Sequence, residues 1–317
     1  MRPLLLPFLA CPECRQDLLL ESDRIRCPGG HSFAVEGGVP RFVPRENYAE
    51  SFGFQWNTFS RTQLDEEGGK LSEERFFSQT RWPRALAGEV IVEAGAGAGR
   101  FTSQAASTGA TVISVDYSNA IEAAKKNNER FENVHFIQGD IRKLPLKHGL
   151  ADRVFCFGVL QHTPDPDASF HALVPLVKKG GHLAVDVYRR SWRCLLYGRY
   201  FVRPVTKRIP PRRLFPLVRA YVSALYPTIG LLHRAIGPKA LVLSSVLALA
   251  DYRSVWALPE ERLAELALLD TFDALSPAHD HPRSVEQVKR WFADAGLVDV
   301  TLDVLPALVV ARGRVPS

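Results

Sequence analysis

Residues 89–101 read EVIVEAGAGAGRF. A β-branched apolar run ends in Gly95, Gly97 and Gly99, and a helix-compatible stretch follows. Strand, glycine turn and helix in that order open a βαβ unit. The glycines let the backbone approach a ligand where a Cβ would clash. The spacing is not that of a dinucleotide fingerprint, because the last small position of G-x-G-x-x-G, counted from Gly95, falls on Arg100. The run reads instead as acidic-x-G-x-G-x-G, with Glu93 at the strand end. A carboxylate there suits a ligand carrying positive charge, such as a sulfonium with an amino group, better than a pyrophosphate.

Outward from this turn the same rhythm repeats. TVISVDYS (111–118), VHFIQGD (134–140), DRVFCFGVL (152–160) and HLAVDVY (182–188) are short β-branched runs, each ending at Gly, Asp or a turn. FTSQAASTG (101–109), NAIEAAKKNNERF (119–131) and DASFHALVPLVKKGG (167–181) are the helical stretches between them, with Gly180 and Gly181 reading as a helix stop. Buried runs alternating with amphipathic helices predict an α/β protein with a parallel sheet. Asp116 and Asp140 fall at successive strand ends, and Phe157 and Gly158 follow the fourth strand. Open α/β sheets bind ligands at those ends. A carboxylate at position 116 can accept both hydroxyls of a ribose, and one at position 140 can accept from an adenine amino group.

These segments resemble the class I S-adenosylmethionine-dependent methyltransferases over about residues 86–190 and 283–313. EAGAGAGR is similar to motif I of that family, VDYS to its ribose-binding acidic turn, and GDIRKLP to its adenine-contacting segment. FGVLQHTPDP is similar to the segment after the fourth strand in members acting on small molecules. The resemblance implies a Rossmann-like fold: a mostly parallel seven-stranded sheet with an antiparallel last strand. It implies S-adenosylmethionine held by Glu93, Gly95, Ala96, Gly97, Gly99, Asp116, Tyr117, Asp140, Ile141, Phe157 and Gly158. Methyl transfer is an in-line displacement that depends on alignment. Where the acceptor must lose a proton, His162, just past the fourth strand, is the first candidate base, and Asp186, ending the fifth strand, the second. The NPPY-type segment of many base N-methylating enzymes is absent.

The N-terminus carries separate chemistry. Cys11-x2-Cys14-x12-Cys27-x3-His31 gathers three of the chain's 5 cysteines and one histidine at the spacing of a structural zinc site. Three thiolates and an imidazole close a tetrahedral shell and leave no position for reactive water. Residues 4–44 resemble a Trm112-like zinc ribbon, which in some bacterial methyltransferases precedes the catalytic domain. The expected organisation is a zinc ribbon over 1–45 and a helical leader or lid over 46–85. The core over 86–187 is followed by a basic helical insertion over 188–282 and the end of the core over 283–317. Phe52, Phe54, Trp56 and Phe59 of the leader are candidates for a cofactor lid, with core packing as their other role.

Composition narrows the partners. The chain has 317 residues, is 46% hydrophobic and 23% charged, and carries a net charge of +6. The positive excess is local, because no acidic residue lies between Asp186 and Asp251 while twelve Lys and Arg do. An anionic partner is expected there. Methyl transfer to an O, N or C acceptor of a small or lipid- or sugar-type metabolite leads the readings. RNA gripped by ribbon and insertion is one alternative, and an anionic membrane surface meeting 188–235 is another. A non-enzymatic zinc-ribbon adaptor and an NAD-dependent enzyme complete the set of readings. The short N-terminal apolar stretch is broken by Pro7 and is not read as a leader. The longest uninterrupted candidate for a membrane span, 240–250, is too short. A cytoplasmic protein is expected, and the sequence leaves the oligomeric state open.

Overall fold

In a computed structural model of the chain, which describes residues 3–65, 70–191 and 197–317, the glycine turn sits at the centre of the main sheet. Four short strands come first: β1 (Leu19–Glu21), β2 (Arg24–Arg26), β3 (Ser32–Glu36) and β4 (Val39–Arg41). Seven follow: β5 (Val90–Ala94), β6 (Thr111–Asp116), β7 (Val134–Gln138), β8 (Ala151–Cys156), β9 (Val177–Tyr188), β10 (Val298–Val304) and β11 (Leu308–Arg314). The helices are α1 (Glu50–Thr58), α2 (Leu71–Thr80), α3 (Arg100–Ser107), α4 (Ile121–Asn127) and α5 (Pro166–Leu173). They continue as α6 (Arg199–Thr206), α7 (Pro211–Ile236), α8 (Ala240–Val246), α9 (Glu260–Leu275) and α10 (Val285–Asp294).

The core sheet runs β7-β6-β5-β8-β9-β11-β10. The first five are parallel neighbours, and β11 lies antiparallel between β9 and β10. This is the expected seven-stranded order with its antiparallel last strand. The parallel strands are buried on both faces, so they read as continuous apolar runs. The order reverses beside β5, which makes the C-terminal ends of β5 and β8 the switch point where such sheets open a crevice. Ser284 caps α10 through a reciprocal capping box with Gln287. Gly296, at φ +66°, follows the end of that helix.

Three features depart from the sequence reading. Gly180 and Gly181 do not stop a helix: α5 ends at Leu173, and both glycines lie within β9, where the pairing with β8 shifts register. The N-terminal strands extend the main sheet, with β4 pairing parallel to β7 through Arg41 and Gln138. Leu5, Leu9 and Ile25 share one apolar core with Ile137 and Leu146. Finally, α7 rather than 240–250 is long and apolar enough, by length and composition, to cross a membrane. Scattered arginines hide it from a search for uninterrupted apolar runs. Of the basic interval, Arg193 lies outside the described residues, as does Cys194.

Between β9 and α10 the inserted helices α6–α9 form their own apolar core. Leu214, Val218, Val222, Tyr226 and Ile229 of α7 are buried, and Leu263 and Phe272 of α9 join them. The leader divides by helical period. Phe52 and Trp56, one turn apart on α1, face the cavity described below. Phe54 and Phe59 pack on Phe215 of the insertion. Phe52 and Trp56 thus line the cavity, while Phe54 and Phe59 take the packing role.

Candidate functional site

The turn after β5 is built by hydrogen bonds from its own backbone. Gly95 and Ala96 N–H donate to the Val115 carbonyl at 2.7 and 3.1 Å. Gly97 N–H donates to Asp116 Oδ2 at 2.8 Å, and Ser118 donates to Oδ1 from its N–H at 2.8 Å and its hydroxyl at 2.7 Å. Gly95, Gly97 and Gly99 all have positive φ, at +91°, +54° and +83°. What excludes a side chain there is protein. A Cβ on Gly95 would meet Val159 Cγ2 at 2.1 Å, and one on Gly99 would meet Asn128 Nδ2 at 2.3 Å. Gly97 instead turns its open side to the leader, where a Cβ would stand 3.3 Å from Trp56 Nε1.

Above the turn lies a cavity of about 1010 Å³. Of the sequence candidates, Gly95, Ala96, Gly97, Asp116, Tyr117, Ile141, Phe157, Gly158 and His162 line it. Burial pushes the Asp116 carboxyl up, and its bonds from Ser118 and Gly97 oppose that rise. Tyr117 stacks on Tyr48 at 4.6 Å between ring centres. His162 packs against Phe52 and Tyr188, and its Nδ1 lies 3.0 Å from the His279 carbonyl. A carbonyl only accepts, so Nδ1 is the nitrogen that donates to it, and Nε2 is the nitrogen left to accept in the neutral tautomer.

Other candidates stand behind the wall. Glu93 is buried beneath the turn, where Thr102 and Ser114 donate to Oε2, while Oε1 has no partner. Asp140 caps the 3₁₀ turn Ile141–Lys143 and pairs with Arg142 at 2.7 Å, leaving Gly139 and Ile141 at the cavity. Asp186 is fully buried, paired with Arg75 at 2.6 Å, and accepts from Gly158 N–H. Held on both oxygens, it braces the turn after β8 rather than facing an acceptor.

Burial raises the Glu93 carboxyl to about 8, against the opposing hydrogen bonds from Thr102 and Ser114. Its unfolded form ionises near the usual carboxylate range, so between there and about pH 8 the folded chain holds one more proton. Folding stability therefore falls as pH rises through that window. Glu93→Gln removes this contribution. We expect its thermal midpoint to fall less between pH 5 and pH 8.5 than that of the parent chain, as read by circular dichroism.

Sequence reasoning missed the far wall. Arg75, Arg100, Tyr188, Tyr252, Asp270 and Asp273 all face the cavity. Burial brings Arg100 down to about 9. Asp270 accepts from the Tyr252 hydroxyl; burial raises its carboxyl to about 7, with Tyr252 opposing and Asp273 adding to the rise. Asp273 accepts from Gln55 at 3.1 Å and Tyr188 at 3.4 Å. Arg100 had only a negative signal, as the residue that spoils a dinucleotide fingerprint. The α9 carboxylates had none, because they come from a helix more than 150 residues away in sequence.

The N-terminal cysteines converge as their spacing predicts. One ligand atom from each of Cys11, Cys14, Cys27 and His31 lies within 4.8 Å of the others. Cys14 Sγ and Cys27 Sγ are 3.5 Å apart, and His31 Nδ1 is 3.3 Å from Cys27 Sγ and 3.6 Å from Cys11 Sγ. Bonds of about 2.0–2.3 Å from one tetrahedral zinc ion place ligand atoms roughly 3.3–3.8 Å apart, so the donor set and these three distances fit.

Comparison with known proteins places this geometry. Residues 92–185 match the family described as "Methyltransferase domain". A protein named ubiquinone biosynthesis O-methyltransferase from Acinetobacter baumannii (strain AYE) is 29% identical over 131 residues, covering 39% of this chain and 54% of that protein. The protein of the same name from Salmonella newport (strain SL254) is 32% identical over 129 residues, covering 38% and 53%. The chain thus spans about half the length of these curated relatives. A solved O-methyltransferase family protein from Burkholderia thailandensis has a TM-score of 0.47 at 14% identity, covering 83% of this chain and 59% of that one. The core of the protein has the Rossmann-like class I methyltransferase fold.

Proposed function

We propose that the protein is an S-adenosylmethionine-dependent methyltransferase acting on a small-molecule acceptor, with a hydroxyl oxygen as the methylated atom. The observation that carries this reading is the cavity of about 1010 Å³ running from the glycine turn past His162 to Tyr252 and Asp270. Single-ligand sites run to about 300–1,000 Å³, so this one has room for cofactor and acceptor together. The names of the curated relatives support an oxygen acceptor.

The residues present fit the cofactor. Asp116 offers a half-buried carboxylate beside Gly97, and Tyr117 and Ile141 supply apolar surface next to it. Glu93, which burial keeps protonated up to about pH 8, sits under the turn as a neutral polar group with Oε1 unpartnered. When bound, S-adenosylmethionine supplies an electrophilic methyl group on a sulfonium. The chain's own work is to align the acceptor, exclude water with Phe52 and Trp56, and remove a proton. His162 Nε2 is the base we assign, because its other nitrogen is fixed by the His279 carbonyl. Zinc at Cys11, Cys14, Cys27 and His31 has a structural role in this reading, since four protein ligands leave no open position.

Calorimetry with S-adenosylmethionine tests the proposal. The parent chain should bind it, and Asp116→Ala should bind about 10- to 150-fold more weakly, the worth of a charged hydrogen bond of about 1.5–3 kcal/mol. A parent chain that gives no binding heat at millimolar cofactor would refute the reading and leave the adaptor alternative.

A further inference from the structure

The insertion carries a second face that the cavity does not use. On α7 the buried residues Leu214, Val218, Val222, Tyr226 and Ile229 mark the side turned to α9. Leu217, Ala220, Ala224 and Leu231 recur at three-, four- and seven-residue steps on the opposite side, and all are exposed. Leu217 is 60% and Leu231 65% exposed. The neighbouring helices also carry exposed apolar side chains, Phe201 (74%) and Val205 (63%) on α6 and Val242 (67%) on α8. The three helices are tied together. Gly198 N–H, at the start of α6, donates to the Ser245 carbonyl of α8 at 3.1 Å, and the Tyr221 hydroxyl of α7 donates to the Leu247 carbonyl.

The same helices and the links between them carry exposed cations: Arg208, Arg212, Arg213, Arg219, Arg234 and Lys239. None of the six forms an ion pair with a described residue. No acidic residue lies between Asp186 and Asp251 to balance them.

We propose that the outer face of α6, α7 and α8 is a docking surface for an anionic lipid bilayer. A bilayer satisfies both halves of the surface at once: headgroups take the cations, and the acyl boundary takes Phe201, Val205, Leu217, Leu231 and Val242. A second copy of the chain fits poorly, because a two-fold contact would press like charges together. RNA would meet the arginines but leave the apolar side chains in water. Though long enough to cross a bilayer, α7 lies along it here, with one side buried on α9 and its arginines distributed over its outer half. Ser245 of α8 and Ala248, Leu249 and Ala250 just after it line the cavity. Docking therefore sets one cavity wall against the lipid interface.

The test is flotation of the full chain with vesicles of phosphatidylcholine alone and of phosphatidylcholine with phosphatidylglycerol. We expect at least about tenfold more protein on the anionic vesicles at low salt, and most of it released near 1 M salt, where charges are screened within about 3 Å. The combined variant Phe201→Ser, Val205→Ser, Val242→Ser should lose vesicle binding while keeping its charge. Arg212→Gln with Arg213→Gln, which alters exposed and unpaired side chains only, should lose it as well and guards against misfolding of the first variant. Calorimetry with S-adenosylmethionine on the same variants separates this proposal from the enzymatic one, because cofactor binding should not change. Equal binding to neutral vesicles, no binding to either, undiminished binding by both variants, or capture by poly(U) RNA in preference to vesicles would each overturn it.

Discussion

Gly95→Ala should cripple both the fold and the cofactor site. The added Cβ would stand 2.1 Å from Val159 Cγ2, 2.9 Å from Cγ1 and 3.0 Å from Cβ. Rotating the valine about χ1 cannot clear all three atoms, so backbone must move. The backbone at φ +91° is itself unfavourable for alanine. Overpacking costs about 1–3 kcal/mol and left-handed backbone about 1–2 kcal/mol, for a combined loss near 2–5 kcal/mol. Strain at this point travels to the site directly, because Gly95 and Ala96 N–H hang on Val115 and Gly97 N–H on Asp116. Urea unfolding reads the stability, and calorimetry reads the cofactor. Adding Val159→Ala should recover the packing share and leave the backbone share, a non-additivity that a double-mutant cycle resolves. Full additivity of the two substitutions would show that the contact is not what requires glycine.

The second large effect belongs to the cluster of Cys11, Cys14, Cys27 and His31, read as a zinc clip. Purified chain should carry one zinc, and Cys27→Ser should release it. Structural zinc contributes about 10–16 kcal/mol in isolated zinc-finger peptides. The cost here extends beyond the first 45 residues, because the clip is not free-standing. Leu5, Leu9 and Ile25 are buried in the core shared with Ile137 and Leu146. The Arg15 guanidinium donates to the Leu144 and Leu146 carbonyls at 2.9 and 2.6 Å. Loosening the clip therefore uncovers the outer edge of the main sheet at β7, next to Gly139 and Ile141 of the cavity. We expect a thermal midpoint at least about 10 °C lower, as a loss of several kcal/mol produces in a domain of this size. A strong chelator should reproduce it. Metal analysis showing no zinc in the parent, or a melt indifferent to chelation, would sink the assignment.

Much of this was legible in the chain itself. The strands β5 to β9 were visible because each is an unbroken apolar run closed by Gly or Asp, the mark of burial on both faces. Asp116 and the glycine turn were visible because the chemistry sits where strand hands over to helix, a local event. Gly180 and Gly181 were misread because a glycine pair ending a helix and one easing a strand past a register shift look alike without the partner strand. The reason for Gly95 and Gly99 was misread too. Sequence suggested room for a ligand, whereas Val159 and Asn128, far along the chain, occupy the space.

By itself, then, the sequence determined the βα order, the glycine turn and Asp116 at the strand ends, and the grouping of Cys11, Cys14, Cys27 and His31, all of which depend on short-range spacing. Only the tertiary structure decided that Asp186 is locked to Arg75, that the N-terminal strands continue the main sheet through β4 and β7, and that Tyr252, Asp270 and Asp273 close the cavity. Those outcomes rest on contacts between residues far apart in sequence. Spacing along one chain cannot encode which distant surfaces bury each other; packing does.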